Sequence, residues 1–294
     1  MTPHPSASPE TAELLVPPTR KHTTSTHGKN NSWRNAVFAV FALAGFSLST
    51  WLSRIPTVRD HLDATSGEMG LVYLGISVGS IIGLLGSGYV VTLIGAKKAI
   101  TWFLTIGVIG LPLAALAIGI HSIPLTIAAL AFFGIGFSMT DVAMNVTGAA
   151  NERAIGRTLM PIFHALFSVG TVIGIGLGAL AEATQIPLLL HMVIAGAIIA
   201  ALTLLIVRFL PRGDGFDTPD EQPASADQDS TGRSGWKSAL GVWTKKRTLL
   251  IGLIVLGMAF VEGAANDWLP LAMIDGYDLT TPSARPPWDS SSWP

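Results

Sequence analysis

Cysteine is absent from the chain. That removes disulfides, thiolate metal sites and thiol catalysis together, although it does not fix a compartment. Charge is scarce as well: Asp, Glu, Lys and Arg make up 13% of the residues, against about 25% in an ordinary soluble domain. A net charge of −1 supplies no global field suited to nucleic acid. The phosphate-cradling pattern Gly-x-x-x-x-Gly-Lys-Ser/Thr does not occur, and neither His-Glu-x-x-His nor Gly-x-Ser-x-Gly is present. ATP-driven transport, zinc proteolysis and serine hydrolysis therefore have no residues to carry them. His4, His22, His27, His61 and His121 fall in tails or loops without metal-ligand spacing. No enzyme activity, cofactor or metal site is expected.

What the chain has in abundance is apolar sequence, with a mean hydropathy of +0.52. A bilayer core takes about 20 apolar residues as helix. Seven stretches meet that length: Ala36–Pro56, Met69–Ile94, Ala99–Ile120, Pro124–Ala149, Leu159–Ala181, Ile186–Leu210 and Leu249–Pro270. No barrel-type alternation runs through them, so helix is preferred to strand. The predicted fold class is an all-α polytopic membrane bundle. Of the 18 Lys and Arg residues, 15 fall on one side of these spans and only Arg54, Arg59 and Arg285 on the other. The positive-inside rule then puts the amino terminus in the cytoplasm. The predicted organisation is a disordered cytoplasmic tail over residues 1–33, a six-helix unit over 34–210, a polar, Pro- and Ser-containing cytoplasmic linker over 211–247, a seventh helix over 248–270 and a non-helical tail over 271–294.

Glycines follow helical spacing. Gly75, Gly79 and Gly83 recur every fourth residue in the second span, followed by Gly86 and Gly88, and Gly170, Gly174 and Gly178 do the same in the fifth. Small-residue stripes of this kind allow close helix approach in lipid.

Three acids interrupt the apolar stretches: Asp141, Glu262 and Asp267. A carboxylate at the centre of a membrane helix costs about 2.5–3.5 kcal/mol on insertion scales, so such residues usually face a wet cavity or a partner. Asp141 and Asn145 share one face of the fourth span, about 25 Å along it from the outer side and so near its cytoplasmic end. His164 lies at a similar depth early in the fifth span. An inner gate or proton relay is one reading; a structural pairing of Asp141 with Arg153 or Arg157, and an interhelical hydrogen bond for His164, are the others. Glu262 and Asn266 share a face of the seventh span, with Asp267 turned roughly 140° away. Glu262 is the first choice for proton coupling, against a structural acid, because desolvation raises a carboxyl pKa. Asp267 reads as a solvated interface residue. In the first span, Trp51 suits either stacking on a sugar ring or an interfacial aromatic belt. Arg54 suits either an outer gate against Glu262 or Asp267 or snorkelling to headgroups.

Six spans, a long polar linker and a seventh span resemble the major facilitator superfamily, in which two six-helix halves flank a cavity lined by the first helix of each three-helix repeat, here spans 1, 4 and 7. Gly88-Tyr-Val-Val-Thr-Leu-Ile-Gly95-Ala-Lys97-Lys98 is similar to that superfamily's loop signature between spans 2 and 3. Gly88, Gly95, Lys97 and Lys98 match, whereas Thr92 and Leu93 stand where the signature has Asp and Arg. Asp141-Val-Ala-Met-Asn145, Asn151-Glu152-Arg153, Gly156-Arg157 and Phe163-His164, together with Gly263-Ala-Ala-Asn-Asp267-Trp268, resemble the bacterial branch related to the fucose permeases. The resemblance implies secondary active transport, proton-coupled, of a small polar solute such as a sugar, in the inner membrane. The end of the chain carries no eighth span, so a truncated product is expected, with the absent half as its natural packing partner and the lipid bilayer around it. Two non-transport alternatives stay open: a membrane assembly or interaction protein and a seven-helix receptor.

Overall fold

The structure is a computed structural model that describes residues 24–211 and 246–277. Among the described residues every regular element is helical, and seven helical stretches are long and apolar enough to cross a membrane. The first span is built from α1 (Thr24–Leu52) and the short α2 (Ile55–Leu62), and the second is α3 (Ser66–Ile94). The third comprises α4 (Ala96–Gly107) and α5 (Gly110–Gly119). The fourth and fifth are α6 (Ile123–Ile155) and α7 (Met160–Ala183). The sixth is α8 (Leu188–Ile206), closed by a 3-10 turn at Val207–Phe209, and the seventh is α9 (Lys246–Tyr277).

Local chemistry sets the ends. Thr65 and Glu68 form a reciprocal capping box at the start of α3, which satisfies two of the amide donors left free there. Pro56, Pro124 and Pro161 stand in the first turns of α2, α6 and α7, where a missing N–H costs nothing. Pro112 explains the break in the third span. It cannot donate to the Val108 carbonyl, and Leu111 N–H bonds that carbonyl instead at 3.2 Å, which tightens the turn between α4 and α5. Two helices extend beyond the expected apolar stretches. α1 already begins at Thr24, inside the segment expected to be a loose tail, and α9 runs on to Tyr277 past the expected end at Pro270. Hydropathy marks the part of a helix that lipid can cover, not where its backbone hydrogen bonding stops. Expectations for residues 1–23, 212–245 and 278–294 lie outside the described residues.

Glycine governs the packing. A Cβ added at Gly75, Gly79 or Gly83 of α3 would collide with the backbone of Ile127, Ala131 or Ile135 on α6. One added at Gly170 of α7 would meet the Ala42 carbonyl of α1, and at Gly174 and Gly178 it would meet the Ser49 and Ser53 hydroxyls. Both pairs climb in step from N to C terminus, so α3 with α6 and α1 with α7 are parallel neighbours in near-backbone contact. The stripe ends before Gly88, which faces open space. Two large buried apolar clusters, with a smaller third around Leu43, Leu104, Val108 and Ile199, fill the bundle among the described residues. One, around Phe41, Ile100, Met144 and Phe163, lies towards the end that carries Lys97, Lys98, Arg153, Arg157 and Arg208 (the basic end). The other, around Trp51, Ile55, Met69, Leu130 and Met192, lies towards the opposite end. Long rows of apolar side chains remain exposed on α3, α7 and α9, among them Leu74, Leu85, Val172, Leu180, Leu253 and Phe260. Lipid, which is as apolar as these side chains, accounts for such rows.

Candidate functional site

On α6, Asp141 sits about 27 Å along a helix about 50 Å long. It is therefore near the middle of its helix rather than at the basic end, because α6 continues six residues beyond the apolar stretch, to Ile155. Its side chain is half-buried. Asn145, one turn on, donates its amide to the Asp141 carbonyl oxygen at 2.9 Å and to the carboxylate at 3.4 Å. On the neighbouring α7, His164 is exposed. Its ring meets Phe41 of α1 edge-on at 5.3 Å, and Phe41 stacks on Phe163 at 5.4 Å.

The α6–α7 connection holds this arrangement in place. Gly156 ends α6 in the left-handed region at φ 71°, a conformation that favours glycine. Glu152 then accepts the Met160 amide at 3.0 Å, which caps the start of α7. Asp141 and Asn145 are hydrogen-bonded on one face of α6, and His164 stands on α7 against Phe41 of α1. Near the same end, Asn151 is 0% exposed, and neither atom of its amide has a partner.

At the opposite end the structure corrects two readings. Trp51 is 1% exposed and packs within the core, so it is neither a belt residue nor a surface for stacking a sugar. Position along the helix could not reveal this, because residues from elements distant in sequence share its cluster. Arg54 is 2% exposed, and among the described residues its counter-charge is Glu182. Its Nε lies 3.1 Å from Glu182 Oε2 on α7, and its Nη2 donates to the Ile186 carbonyl at 3.1 Å. The Nε contact is an ion pair by distance; its N–H is not directed along the line to the oxygen. The Thr57 hydroxyl also donates to Glu182, at 2.5 Å. His191 of α8, 9% exposed, is electrostatically coupled to both Arg54 and Glu182. Arg54 is thus committed inside the six-helix unit, where it ties the first, fifth and sixth spans together. Glu182 and His191 were not singled out from sequence. A signal for Glu182 was present: it follows Gly170, Gly174 and Gly178 by one more step of four, so it lies on the face that packs against α1.

The loop between α3 and α4 has a defined geometry at its signature residues. Gly95 closes α3 and opens α4 at φ 81° and ψ 151°, a backbone state suited to glycine. Lys97 donates from Nζ to the Leu210 carbonyl at 2.7 Å, so it caps the end of the sixth span. Lys98 is exposed. Thr92, in the position of the signature's aspartate, turns its hydroxyl back onto the Gly88 and Tyr89 carbonyls of its own helix. On α9 the side chains of Glu262, Asn266 and Asp267 lie outside the described residues. Nearby, Trp268 packs edge-on against Tyr73 of α3 at 5.5 Å, which seats that end of α9 against the start of the second span.

Seven apolar helices and glycine-mediated parallel pairs among the described residues define a multi-pass helical membrane protein. Comparison with known proteins agrees. The family description Major Facilitator Superfamily matches residues 3–159 and 37–288, and the chain belongs to that family. It is 31% identical over 249 residues to an uncharacterized transporter, y4wD, of Sinorhizobium fredii (strain NBRC 101917 / NGR234), covering 83% of this chain and 59% of that one. It is 28% identical over 230 residues to an uncharacterized MFS-type transporter of Yersinia pestis, covering 78% of this chain and 54% of the other. Among solved structures, that of the nucleoside transporter NupG superposes with a TM-score of 0.58 at 14% identity, over 83% of this chain and 59% of NupG. The likeness to NupG is one of fold. The chain spans less than two thirds of the length of each of these relatives.

Proposed function

We propose that this chain supplies the amino-terminal six-helix half and the first helix of the second half of a secondary active transporter. The transporter moves a small polar solute such as a sugar, with proton coupling, by alternating access across the inner membrane, and the amino terminus is cytoplasmic. The distribution of Lys and Arg supports that orientation, and the residue patterns of α6, α7 and α9 support the fucose-permease-like branch.

The observation that carries the proposal is the Asp141–Asn145–His164 group. A half-buried carboxylate near mid-helix, hydrogen-bonded by Asn145 and with an imidazole on the neighbouring α7, is an arrangement that can exchange a proton between two access states. Glu262, an acid of the seventh span, is proposed as a second titrating group. Arg54 and Glu182 lie outside the pathway and hold the outer end of the first half rigid, so that it moves as one body when access alternates.

Uptake of labelled sugars by a transporter containing these seven spans, measured at two external pH values, tests the reading. Asp141→Asn is expected to lower proton-driven accumulation at least about tenfold, while exchange of solute at equal concentrations persists. An unchanged pH dependence in Asp141→Asn and in Glu262→Gln rules out the coupling role.

A further inference from the structure

A groove runs along the basic end of the bundle where α1 passes the 3-10 turn that follows α8. It is lined by Ser32, Asn35, Ala36, Ala39, Ile206 and Phe209. Its α1 wall spans about 10 Å from Ser32 to Ala39, and its chemistry changes along that length. Hydroxyl and amide groups stand nearest the end of the bundle; methyl and aliphatic groups lie deeper. That is the order a bilayer presents, from headgroup to acyl chain.

Two arginines adjoin lining residues in the chain, Arg34 before Asn35 and Arg208 before Phe209. Arg34 is positioned by its own neighbour: Nε and Nη2 donate to Asn35 Oδ1 at 3.3 and 3.2 Å, and the guanidinium lies over the Phe38 ring at 5.8 Å. Arg208 is exposed in the turn beside Phe209, which is itself 54% exposed. None of the lining residues is acidic. The wall is firm, because Ala36, Val207 and Leu210 are buried in the same apolar cluster and Lys97 holds the Leu210 carbonyl.

We propose that this groove binds one anionic phospholipid. Its phosphodiester faces Arg34 and Arg208, and an acyl chain runs along Ala36, Ala39, Ile206 and Phe209. A guanidinium offers a planar fork of donors matched to phosphate oxygens, and basic residues at a membrane surface select anionic headgroups. A zwitterionic lipid brings its own cation towards the same two arginines, so it is disfavoured. Placement in the inner leaflet rests on the amino-terminus-inside reading; the binding itself does not.

The test reconstitutes the whole chain in nanodiscs of phosphatidylcholine with phosphatidylglycerol and counts retained lipids by native mass spectrometry. A nanodisc offers phosphatidylglycerol in both leaflets, so the outcome is independent of the orientation reading and of transport. The expected result is selective retention of phosphatidylglycerol, reduced about fivefold per arginine and roughly 30-fold in Arg34→Gln/Arg208→Gln. Ala39→Phe, which fills the groove without changing charge, is expected to reduce retention as well. Circular dichroism of both variants checks that the helices persist. Equal retention of the two lipids by the unaltered chain, or undiminished selectivity in both variants, overturns the proposal. Retention that emerges only after residues 1–23 are deleted shows the groove filled by the chain itself, and overturns it too.

Discussion

The placement of Arg54 makes a prediction that separates two architectures. Glu182→Leu leaves a guanidinium that is 2% exposed with only the Ile186 carbonyl and a coupled histidine around it. Removing one partner of a buried ion pair costs about 3–5 kcal/mol, because the remaining charge stays desolvated. Arg54→Leu is expected to cost less, about 1–3 kcal/mol. The Glu182 side chain is 14% exposed and keeps the Thr57 hydroxyl. The double variant Arg54→Leu/Glu182→Leu buries no unpaired charge, so it is expected to be more stable than Glu182→Leu alone. That gives a coupling energy on the order of 2–3 kcal/mol. Graded unfolding by SDS in mixed micelles, followed by circular dichroism, measures all four proteins. If the two substitutions add, the pair has no energetic meaning and the buried network as described here is wrong. Coupling of Arg54 to Asp267 or Glu262 in the same assay, with none to Glu182, would restore an outer gate in place of an internal tie.

Two further outcomes follow from the packing and the loop. Gly79→Ala and Gly170→Ala push a methyl into the carbonyls of Ala131 and Ala42 and are expected to cost about 1–3 kcal/mol each. Gly88→Ala and Gly176→Ala, which meet nothing within 4 Å, should match the unaltered chain or slightly exceed it in the same unfolding assay. Lys97→Met removes the cation that caps the sixth span at 2.7 Å. A loss of about 0.5–1 kcal/mol is expected, together with faster amide hydrogen exchange at Val207–Leu210, and Lys97→Arg should recover most of it.

The architecture was largely legible because the bilayer makes it one-dimensional. Backbone groups in lipid must be satisfied within their own segment, so length and hydropathy alone locate helices. The stripes Gly75–Gly79–Gly83 and Gly170–Gly174–Gly178 likewise announced which faces approach another helix, since fourfold spacing is a property of a single helix. Asp141 was singled out by the cost of a carboxylate in oil, which depends on the residue and its depth.

Partners across helices could not be read in this way. Arg54 sees Glu182 and His191 only because α1, α7 and α8 converge at one end of the bundle, and nothing along any one of them encodes that meeting. Trp51 carries the same sequence signal whether it faces headgroups or a core; only the neighbours that cover it decide. The chain by itself determined how many times it crosses, where lysine and arginine gather, and which helix faces are smooth enough for contact. The tertiary structure alone decided which charges neutralise each other. Electrostatic pairing depends on distance in space, and a packed bundle brings together groups whose separation in sequence has no relation to it.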